Sequence, residues 1–256
     1  MSVELIALHG LPEVRLNDSL DVLIGDALEA NGLHLVDGDV LTIAHKIVSK
    51  AEGQVRRLAD VKPQPEAHFY AEKLSKDPRK VQIVLDESVD VLRAFKHPGA
   101  DEGTMICEHR LGLISANAAV DESNTAGDGE AILLPQNPDA SAARIRDGLE
   151  KRFGVRIGIV ITDTFGRPWR LGQVNVAIGL AGLPATRSEI GGVDARGRRL
   201  RVTEPAFADE IAAASGLVIG KAARTPVVLF RGLEWLEDEK TSAGHLIRAR
   251  GEDVFR

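Results

Sequence analysis

The alternation of apolar and polar positions divides the chain into short strands and amphipathic helices. Apolar runs bounded by turn residues predict strands at residues 3–8, 40–44, 81–85, 105–110, 113–120, 155–162 and 225–230. Apolar residues at helical spacing predict helices at residues 18–30, 66–75, 137–153 and 203–215. Strands and helices do not alternate regularly, so the pattern predicts an α+β fold of mixed sheets with flanking helices, not a doubly wound sheet.

Three segments are ambiguous in this pattern. The basic segment His45–Lys50 continues from a strand and is compatible with a strand or a helix. Residues 175–182 are rich in Gly and Ala, which suits a strand or a closely packed helix. Residues 191–201 are basic and Gly-rich, and they are a candidate hairpin.

Composition and charge limit the class of protein. The 256 residues are 44% hydrophobic and 27% charged, which is ordinary for a soluble globular protein. A net charge of −6 argues against non-specific binding to nucleic acid or to a membrane surface, because both need a positive field. No signal sequence and no apolar run near about 20 residues is present, so we expect a cytoplasmic protein. The single cysteine, Cys107, lies in an apolar run and is predicted to be a core residue.

Two apolar runs that each end in an aspartate indicate the first chemistry to consider. Residues 116–120 lead to Asp121, and residues 159–162 lead to Asp163. Such a run predicts a buried strand that delivers one carboxylate to a sheet edge. Two carboxylates beside Asn124 and Thr164 suit a hard divalent cation and phosphate oxygens, which favours metal-assisted phosphoryl transfer. The alternative is that each aspartate only caps a turn.

Basic residues form two further candidate features. Arg167 and Arg170 flank Pro168-Trp169 directly after the second run, and guanidinium groups bind phosphate or carboxylate bidentately. The alternative is a surface loop with Trp169 packed into the core. Lys46 and Lys50 share a face in a strand or a helix and form a patch that can meet phosphate, or else they are solvated lysines.

Familiar nucleotide-binding motifs are missing from the sequence. The chain contains no G-x-x-x-x-G-K-[ST] loop and no G-x-G-x-x-G fingerprint, and Val218–Lys221 resembles a phosphate loop only slightly. The Gly10–Glu13 turn after the first strand has backbone amides that can hold a phosphate or a base. A nucleotide would therefore have to be bound by another arrangement.

At these residues the sequence resembles a known family, the coenzyme F420-0:L-glutamate ligases, which are γ-glutamyl ligases of deazaflavin coenzyme biosynthesis. The matching segments occur in the family's order and are spread over nearly the whole chain. They are His9–Pro12, Lys46–Gly53, Ala116–Asn124, Thr162–Arg170 and Glu210–Lys221.

The resemblance implies a GTP-dependent ligase. Members of the family join the α-amine of L-glutamate to a carboxylate of the F420-0 precursor and then add further glutamates through γ-carboxylates. They use Mn²⁺ or Mg²⁺, are helped by K⁺, and form intertwined homodimers with a non-classical nucleotide-binding fold. Some bacterial relatives carry a second, nitroreductase-like domain, for which residues 1–256 leave no room, so we expect the stand-alone ligase as one functional unit, with or without two subdomains.

The resemblance also implies roles for individual residues. Asp121 and Asp163 correspond to metal ligands, and Asn124 and Thr164 to nucleotide or metal contacts. A metal-contacting position falls on Lys221; an ammonium group cannot ligate a cation, so either the correspondence is displaced there or Lys221 contacts phosphate. The residues that correspond to guanine nucleotide contacts are Gly10, Leu11, Pro12, Glu13, His45, Lys46, Lys50 and Gly220.

These roles combine into one hypothesis and three alternatives. GTP would phosphorylate the acceptor carboxylate, Lys46 and Lys50 would neutralise phosphate charge, and Arg167 and Arg170 would hold substrate carboxylates. The alternatives are a metal-dependent phosphohydrolase, a non-catalytic nucleotide-binding or interaction module, and a ligase of the same family with another carboxylate acceptor.

Overall fold

A computed structural model describes residues 2–123, 129–220 and 224–253. The described residues form ten strands and six α-helices, joined by short 3₁₀ turns. The strands are β1 (Glu4–Ala7), β2 (Val40–Ala44), β3 (Val55–Arg57), β4 (Ser88–Phe95), β5 (Thr104–His109), β6 (Ile114–Ala116), β7 (Glu130–Ile132), β8 (Gly158–Arg167), β9 (Arg170–Ala181) and β10 (Val227–Arg231). The helices are α1 (Leu20–Ala30), α2 (His45–Ala51), α3 (Pro65–Leu74), α4 (Pro78–Asp86), α5 (Pro138–Phe153) and α6 (Phe207–Ser215).

The largest sheet has five strands in the order β1-β10-β2-β8-β9. β2 and β8 are parallel, and the other neighbouring pairs are antiparallel. Alternate residues of its strands face opposite sides: Leu41 and Ile159 lie in one core with α1 and α5, whereas Val40 and Val160 lie in another core with α6. Helices therefore cover both faces, and the central strands are apolar on both sides.

A second, smaller unit is built from the middle of the chain. Strands β4, β5 and β6 form an antiparallel sheet, against which α3 and α4 pack around Leu74, Val81 and Met105. The short pair β3 and β7 lies beside it, with its own cluster around Leu133. The predicted α+β class with mixed sheets and flanking helices is confirmed.

Most predicted elements are confirmed within a few residues. The predicted helix at residues 137–153 is α5, which Asn137 caps by accepting a hydrogen bond from Ala140 N at 3.0 Å and which Gly154 ends in the left-handed region. The segment His45–Lys50 is helical, as part of α2. The ambiguous residues 175–182 lie mainly in β9, where Gly179 packs so closely on Pro138 that a Cβ would lie 2.5 Å from it. Residues 191–201 form an irregular hairpin with a bridge between Val193 and Arg199.

One predicted strand is part of a helix, and another is shorter than predicted. Residues 81–85 belong to α4, because Asp77 accepts a hydrogen bond from Arg79 N at 2.8 Å and Pro78 occupies the first helical position. The predicted strand at 113–120 stops at Ala116, because the backbone enters the left-handed region at Asn117. No helix in the described ranges is long and apolar enough to cross a membrane.

Candidate active site

The site lies where β2 stops and its parallel neighbour β8 continues. Ala44, the last residue of β2, is opposite Thr162, whereas β8 runs on to Arg167 with β9 as its remaining partner. Helix α2 begins at His45, directly after Ala44. Asp163 and Thr164 are therefore the first residues of β8 beyond the end of β2, next to the start of a helix. The expectation that a strand ends at Asp163 is wrong, since β8 continues through it.

His45 links the start of α2 to Asp163. The His45 side chain is 2% exposed, and its Nε2 lies 3.3 Å from Asp163 Oδ1. Its other ring nitrogen, Nδ1, lies 3.2 Å from Ser49 Oγ, one helical turn further along. The contact with Asp163 is close enough for an ion pair but is not aligned as a hydrogen bond, so in the described part of the chain Nε2 has no hydrogen-bond partner. A buried, incompletely bonded nitrogen beside a carboxylate is typical of a functional site.

Asp163 is held in place by its own strand. The backbone N–H of Thr164 donates a hydrogen bond to Asp163 Oδ1 at 2.7 Å, the same oxygen that faces His45. The Asp163 side chain is 13% exposed. Both contacts are made by Oδ1 and neither by Oδ2. One oxygen of the Asp163 carboxylate is therefore anchored, and the partly exposed carboxylate remains within reach of a ligand.

Asp121 reaches the same helix from the smaller unit. Its backbone pairs with Ile132 in an isolated bridge, and its Oδ2 lies 2.6 Å from Lys46 Nζ. Ser123 N donates to Asp121 Oδ1 at 2.6 Å, and Lys46 Nζ also donates to Ser123 Oγ at 2.6 Å. Burial raises the pKa of Asp121, but the hydrogen bonds from Lys46 and Ser123 outweigh it and hold that pKa below its ordinary value.

The two predicted acids are thus brought to consecutive residues of one helix. Asp163 contacts His45, and Asp121 contacts Lys46, at the first turn of α2. Asp121 does not follow a strand as expected, because a left-handed turn precedes it. Asn124, predicted beside Asp121, lies outside the described residues.

The turn before Asp121 has an unusual backbone. Asn117, Ala118 and Ala119 have φ values of 52°, 50° and 57°, a conformation that L-residues other than Asn and Asp rarely adopt. Asn117 Oδ1 accepts hydrogen bonds from Lys76 Nζ at 3.1 Å and from Met105 N at 3.2 Å. Burial lowers the pKa of Lys76, whose ammonium lies next to this turn. No local sequence signal indicates this backbone conformation, since alanine has no preference for it.

The predicted nucleotide-contacting turn lies at the other end of α2, next to Lys50. Gly10 has a φ of 82°, which favours glycine there, and Leu11 packs on the main core, while Pro12 and Glu13 are exposed. Glu13 forms an ion pair with Lys50, the last basic residue of α2. The turn, His45, Lys46 and Lys50 are therefore gathered around a single short helix.

Arg167 and Arg170 lie at the far end of the β8–β9 hairpin. They face each other across its tip, four or more residues from Asp163, which is about 13 Å along an extended strand. Arg167 Nη2 donates to Leu171 O at 3.0 Å. Trp169, between them, is 83% exposed, so the alternative in which it packs into the core is wrong. The described contacts do not bring either arginine to the start of α2.

Of the remaining predicted site residues, the structure describes Thr164 and Gly220 but not Lys221. Thr164 is exposed, and its Oγ1 donates to Asn175 Oδ1 at 2.8 Å. Gly220 lies in the segment that follows α6, and Lys221 lies outside the described residues. Asn175 and the buried Ser215, which contacts it, were not identified from the sequence, because their relation to Thr164 depends on strand register and helix packing.

Comparison with known proteins decides the family. The model of the family described as F420-0:Gamma-glutamyl ligase matches residues 10–232, which is most of the chain. The chain belongs to this family. The resemblance expected from five sequence segments is confirmed, and so is the expectation of an amide-bond-forming ligase.

Individual relatives of this F420-0:γ-glutamyl ligase family member match 95% or more of its length. The coenzyme F420:L-glutamate ligase of Methanothermobacter thermautotrophicus is 42% identical over 259 residues, covering 100% of both chains. The protein of the same name from Methanopyrus kandleri is 43% identical, covering 95% of this chain and 94% of its own. That of Halobacterium salinarum is 40% identical, covering 98% and 94%.

In this family member, the donor atoms at the site fit one kind of cation. The carboxylates of Asp121 and Asp163, beside α2, and the hydroxyl of Thr164, on the α6 side of β8, are hard oxygen donors, which suit Mg²⁺ or Mn²⁺. Across the described residues, no cluster of three or more His, Cys, Asp or Glu forms a preformed metal cage. Mg²⁺ is commonly held by one or two carboxylates together with phosphate oxygens and water, so these residues fit a cation that is bound together with a nucleotide.

Proposed function

We propose that the chain is a GTP-dependent coenzyme F420-0:L-glutamate ligase. It joins the α-amine of L-glutamate to a carboxylate of F420-0 and adds further glutamates through γ-carboxylates. Family membership and the names of the relatives support the ligase and its substrates. One observation supports the site: Asp163 and Asp121 approach consecutive residues at the start of α2, beside two lysines.

The chemistry needs a leaving group on the acceptor carboxylate. A carboxylate does not react with an amine at neutral pH, because its oxygen is a poor leaving group. The acceptor oxygen attacks the γ-phosphorus of GTP, the bond to the β-phosphate oxygen breaks, and GDP leaves. The glutamate amine then attacks the carbonyl carbon of the acyl phosphate, loses a proton, and expels inorganic phosphate as the amide forms.

The lysines of α2 supply positive charge for the transferred group. Lys46 at the start of α2 now neutralises Asp121, and Lys50 near its end neutralises Glu13, so both ammonium groups are held beside this helix. A phosphate bound there would share these ammonium groups with the carboxylates. A chain with a net charge of −6 needs such local positive groups to bind GTP and two anionic substrates.

The acids would hold the cation. Asp121, Asp163 and Thr164 would bind Mn²⁺ or Mg²⁺, which neutralises phosphate charge as it develops, and K⁺ would assist. The Thr164 backbone N–H holds Asp163 Oδ1, and the buried His45 ring lies beside it, so the carboxylate is oriented before substrate binds. Arg167 and Arg170, at the hairpin tip, would contact carboxylates of the extending substrate, not the transferred phosphate.

The tip of the β8–β9 hairpin indicates how the protein assembles. Trp169 and Leu171, at the tip of the β8–β9 hairpin, are 83% and 99% exposed. Large exposed apolar side chains on a projecting hairpin are typical of an interface, which supports a homodimer. We retain the cytoplasm as the expected location, since the substrates are soluble coenzyme precursors.

Nucleotide turnover separates this ligase from a phosphohydrolase. Purified protein with GTP and Mn²⁺ is assayed for GDP in four mixtures: alone, with glutamate, with F420-0, and with both. We expect GDP to accumulate steadily only when both substrates are present. Equal GDP formation in all four mixtures would contradict the proposal and would favour a hydrolase.

An isotope label tests the acyl phosphate. F420-0 with ¹⁸O in its acceptor carboxylate should transfer one ¹⁸O to the inorganic phosphate released when the first amide forms, whereas later additions activate an unlabelled γ-carboxylate. Inorganic phosphate without ¹⁸O, in a reaction that does form the amide, would rule out activation by phosphorylation of that carboxylate.

A further inference from the structure

A chain of three hydrogen bonds runs from Thr164 into the protein. Thr164 Oγ1 donates to Asn175 Oδ1 at 2.8 Å, and Asn175 Nδ2 donates to Ser215 Oγ at 3.1 Å. Ser215 Oγ in turn donates to the carbonyl oxygen of Ala212 at 2.6 Å. Ser215 is fully buried at the end of α6, and Thr164 is opposite Asn175 in the β8–β9 ladder.

The last bond sets the direction of the chain. The Ser215 hydroxyl has one proton, which is given to the Ala212 carbonyl, so its oxygen accepts the Asn175 amide N–H. The amide oxygen of Asn175 then faces Thr164 and accepts the hydroxyl proton of that residue. The proton of Thr164 is therefore directed into the protein, and the lone pairs of its oxygen are left for another partner.

Asn175 also contacts the segment that follows α6. A Cβ built on Gly216 would lie 3.5 Å from Asn175 Nδ2, so the backbone of residue 216 packs directly against this amide. Residues 217–220 lead from there to Gly220, which is predicted to contact nucleotide. Asn175 thus lies between a predicted metal ligand and the segment that leads to this predicted nucleotide contact.

We propose that Asn175 and Ser215 are positioning residues that fix the Thr164 hydroxyl with its oxygen presented to a divalent cation. Neither residue touches the reacting atoms. Their action is to prevent the hydroxyl from rotating its proton toward the cation, which would cost affinity. This proposal rests on the proposed function, because it assumes that Thr164 is a metal ligand.

Mn²⁺ binding tests the proposal without turnover. The protein is titrated with Mn²⁺ in the presence of a non-hydrolysable GTP analogue, and free Mn²⁺ is measured by electron paramagnetic resonance. We expect Asn175→Ala to weaken Mn²⁺ binding about tenfold. Ser215→Ala should act in the same direction with a smaller effect, since it removes only the group that orients the amide. Asn175→Asp, which still accepts the Thr164 proton, should recover most of the affinity.

A matched control separates positioning from damage to the fold. Ser88 Oγ donates to the Val84 carbonyl at 2.6 Å at the end of α4, in the smaller unit, much as Ser215 does at the end of α6. Ser88→Ala should leave Mn²⁺ binding unchanged. Circular dichroism and thermal unfolding of all variants should report a folded protein.

A double substitution gives the decisive result. In the Thr164→Val background, Asn175→Ala should have no further effect on Mn²⁺ binding, because the hydroxyl that it orients is absent. The same tenfold loss in both backgrounds, or no loss in the Thr164-containing protein, would overturn the proposal. Failure of the unsubstituted protein to bind Mn²⁺ at all would instead refute the metal assignment of the proposed function, and this inference with it.

Discussion

At the scale of single residues, the site consists of two acids and the polar groups that hold them. Asp121 and Asp163, which each follow an apolar run in the sequence, both lie at the start of α2. Asn175 and Ser215 could not be predicted, because their contacts depend on the β8–β9 register and on how α6 packs. The local sequence specifies neither the register nor the packing of this helix.

Substitution of Asp163 tests the metal assignment. Asp163→Asn keeps the shape of the side chain but removes its charge, and we expect turnover in the ligation reaction to fall by about 10³-fold, or about 4 kcal/mol of barrier. Asp194→Asn, in the exposed hairpin at residues 191–201, is the matched control and should keep full turnover. Near-normal turnover of Asp163→Asn would exclude Asp163 as a metal ligand.

The Asp121 contact predicts a dependence of stability on pH. The folded pKa of Asp121 lies below its ordinary value of 3.8, so ionised Asp121 stabilises the fold above that value. This contribution is lost as the pH falls below 3.8 and through the lower folded pKa. Because the side chain is 37% exposed, we expect a small effect.

Chemical denaturation at several pH values measures this contribution. The difference in free energy of unfolding between the unsubstituted protein and Asp121→Asn should be constant above about pH 5 and should shrink in more acidic solution. A difference that grows toward low pH would show that the folded pKa is raised, contrary to the contacts with Lys46 and Ser123.

At the scale of elements, prediction succeeded where capping residues mark the boundaries. Asn137 and Gly154 bound α5 as expected. Residues 81–85 were misassigned because a short apolar run is compatible with either a strand or a helix, and the Asp77-Pro78 start signal decides for the helix. The turn at Asn117–Ala119 was not predicted, because tertiary contacts of Asn117 hold it.

This turn gives an element-scale prediction. Ala119 has a φ of 57°, so Ala119→Gly removes a steric cost and should raise the free energy of unfolding by up to about 1 kcal/mol, after the added entropy of the unfolded chain is subtracted. Ala143→Gly, in the middle of α5, should instead lower it by about 1 kcal/mol. Thermal and urea unfolding measure the free energy of unfolding of both variants. A loss of the same size in both would argue against a strained turn.

At the scale of the whole molecule, the sequence predicted the class of fold but not its topology. Irregular alternation of strands and helices indicated α+β, which is what the structure has. The order β1-β10-β2-β8-β9 places the first strand beside the last, a long-range pairing that no local pattern specifies. That order also places β2 next to β8, and the different lengths of these two strands create the site.

The central claim is that this molecule couples GTP to the addition of glutamate to F420-0. The most direct measurement is mass spectrometry of the product after incubation with GTP, Mn²⁺, L-glutamate and F420-0. We predict F420 species heavier by one or more glutamyl residues, with one GDP formed for each residue added. GDP formed without a glutamylated product would contradict the claim, and glutamylation that needs no GTP would contradict the mechanism.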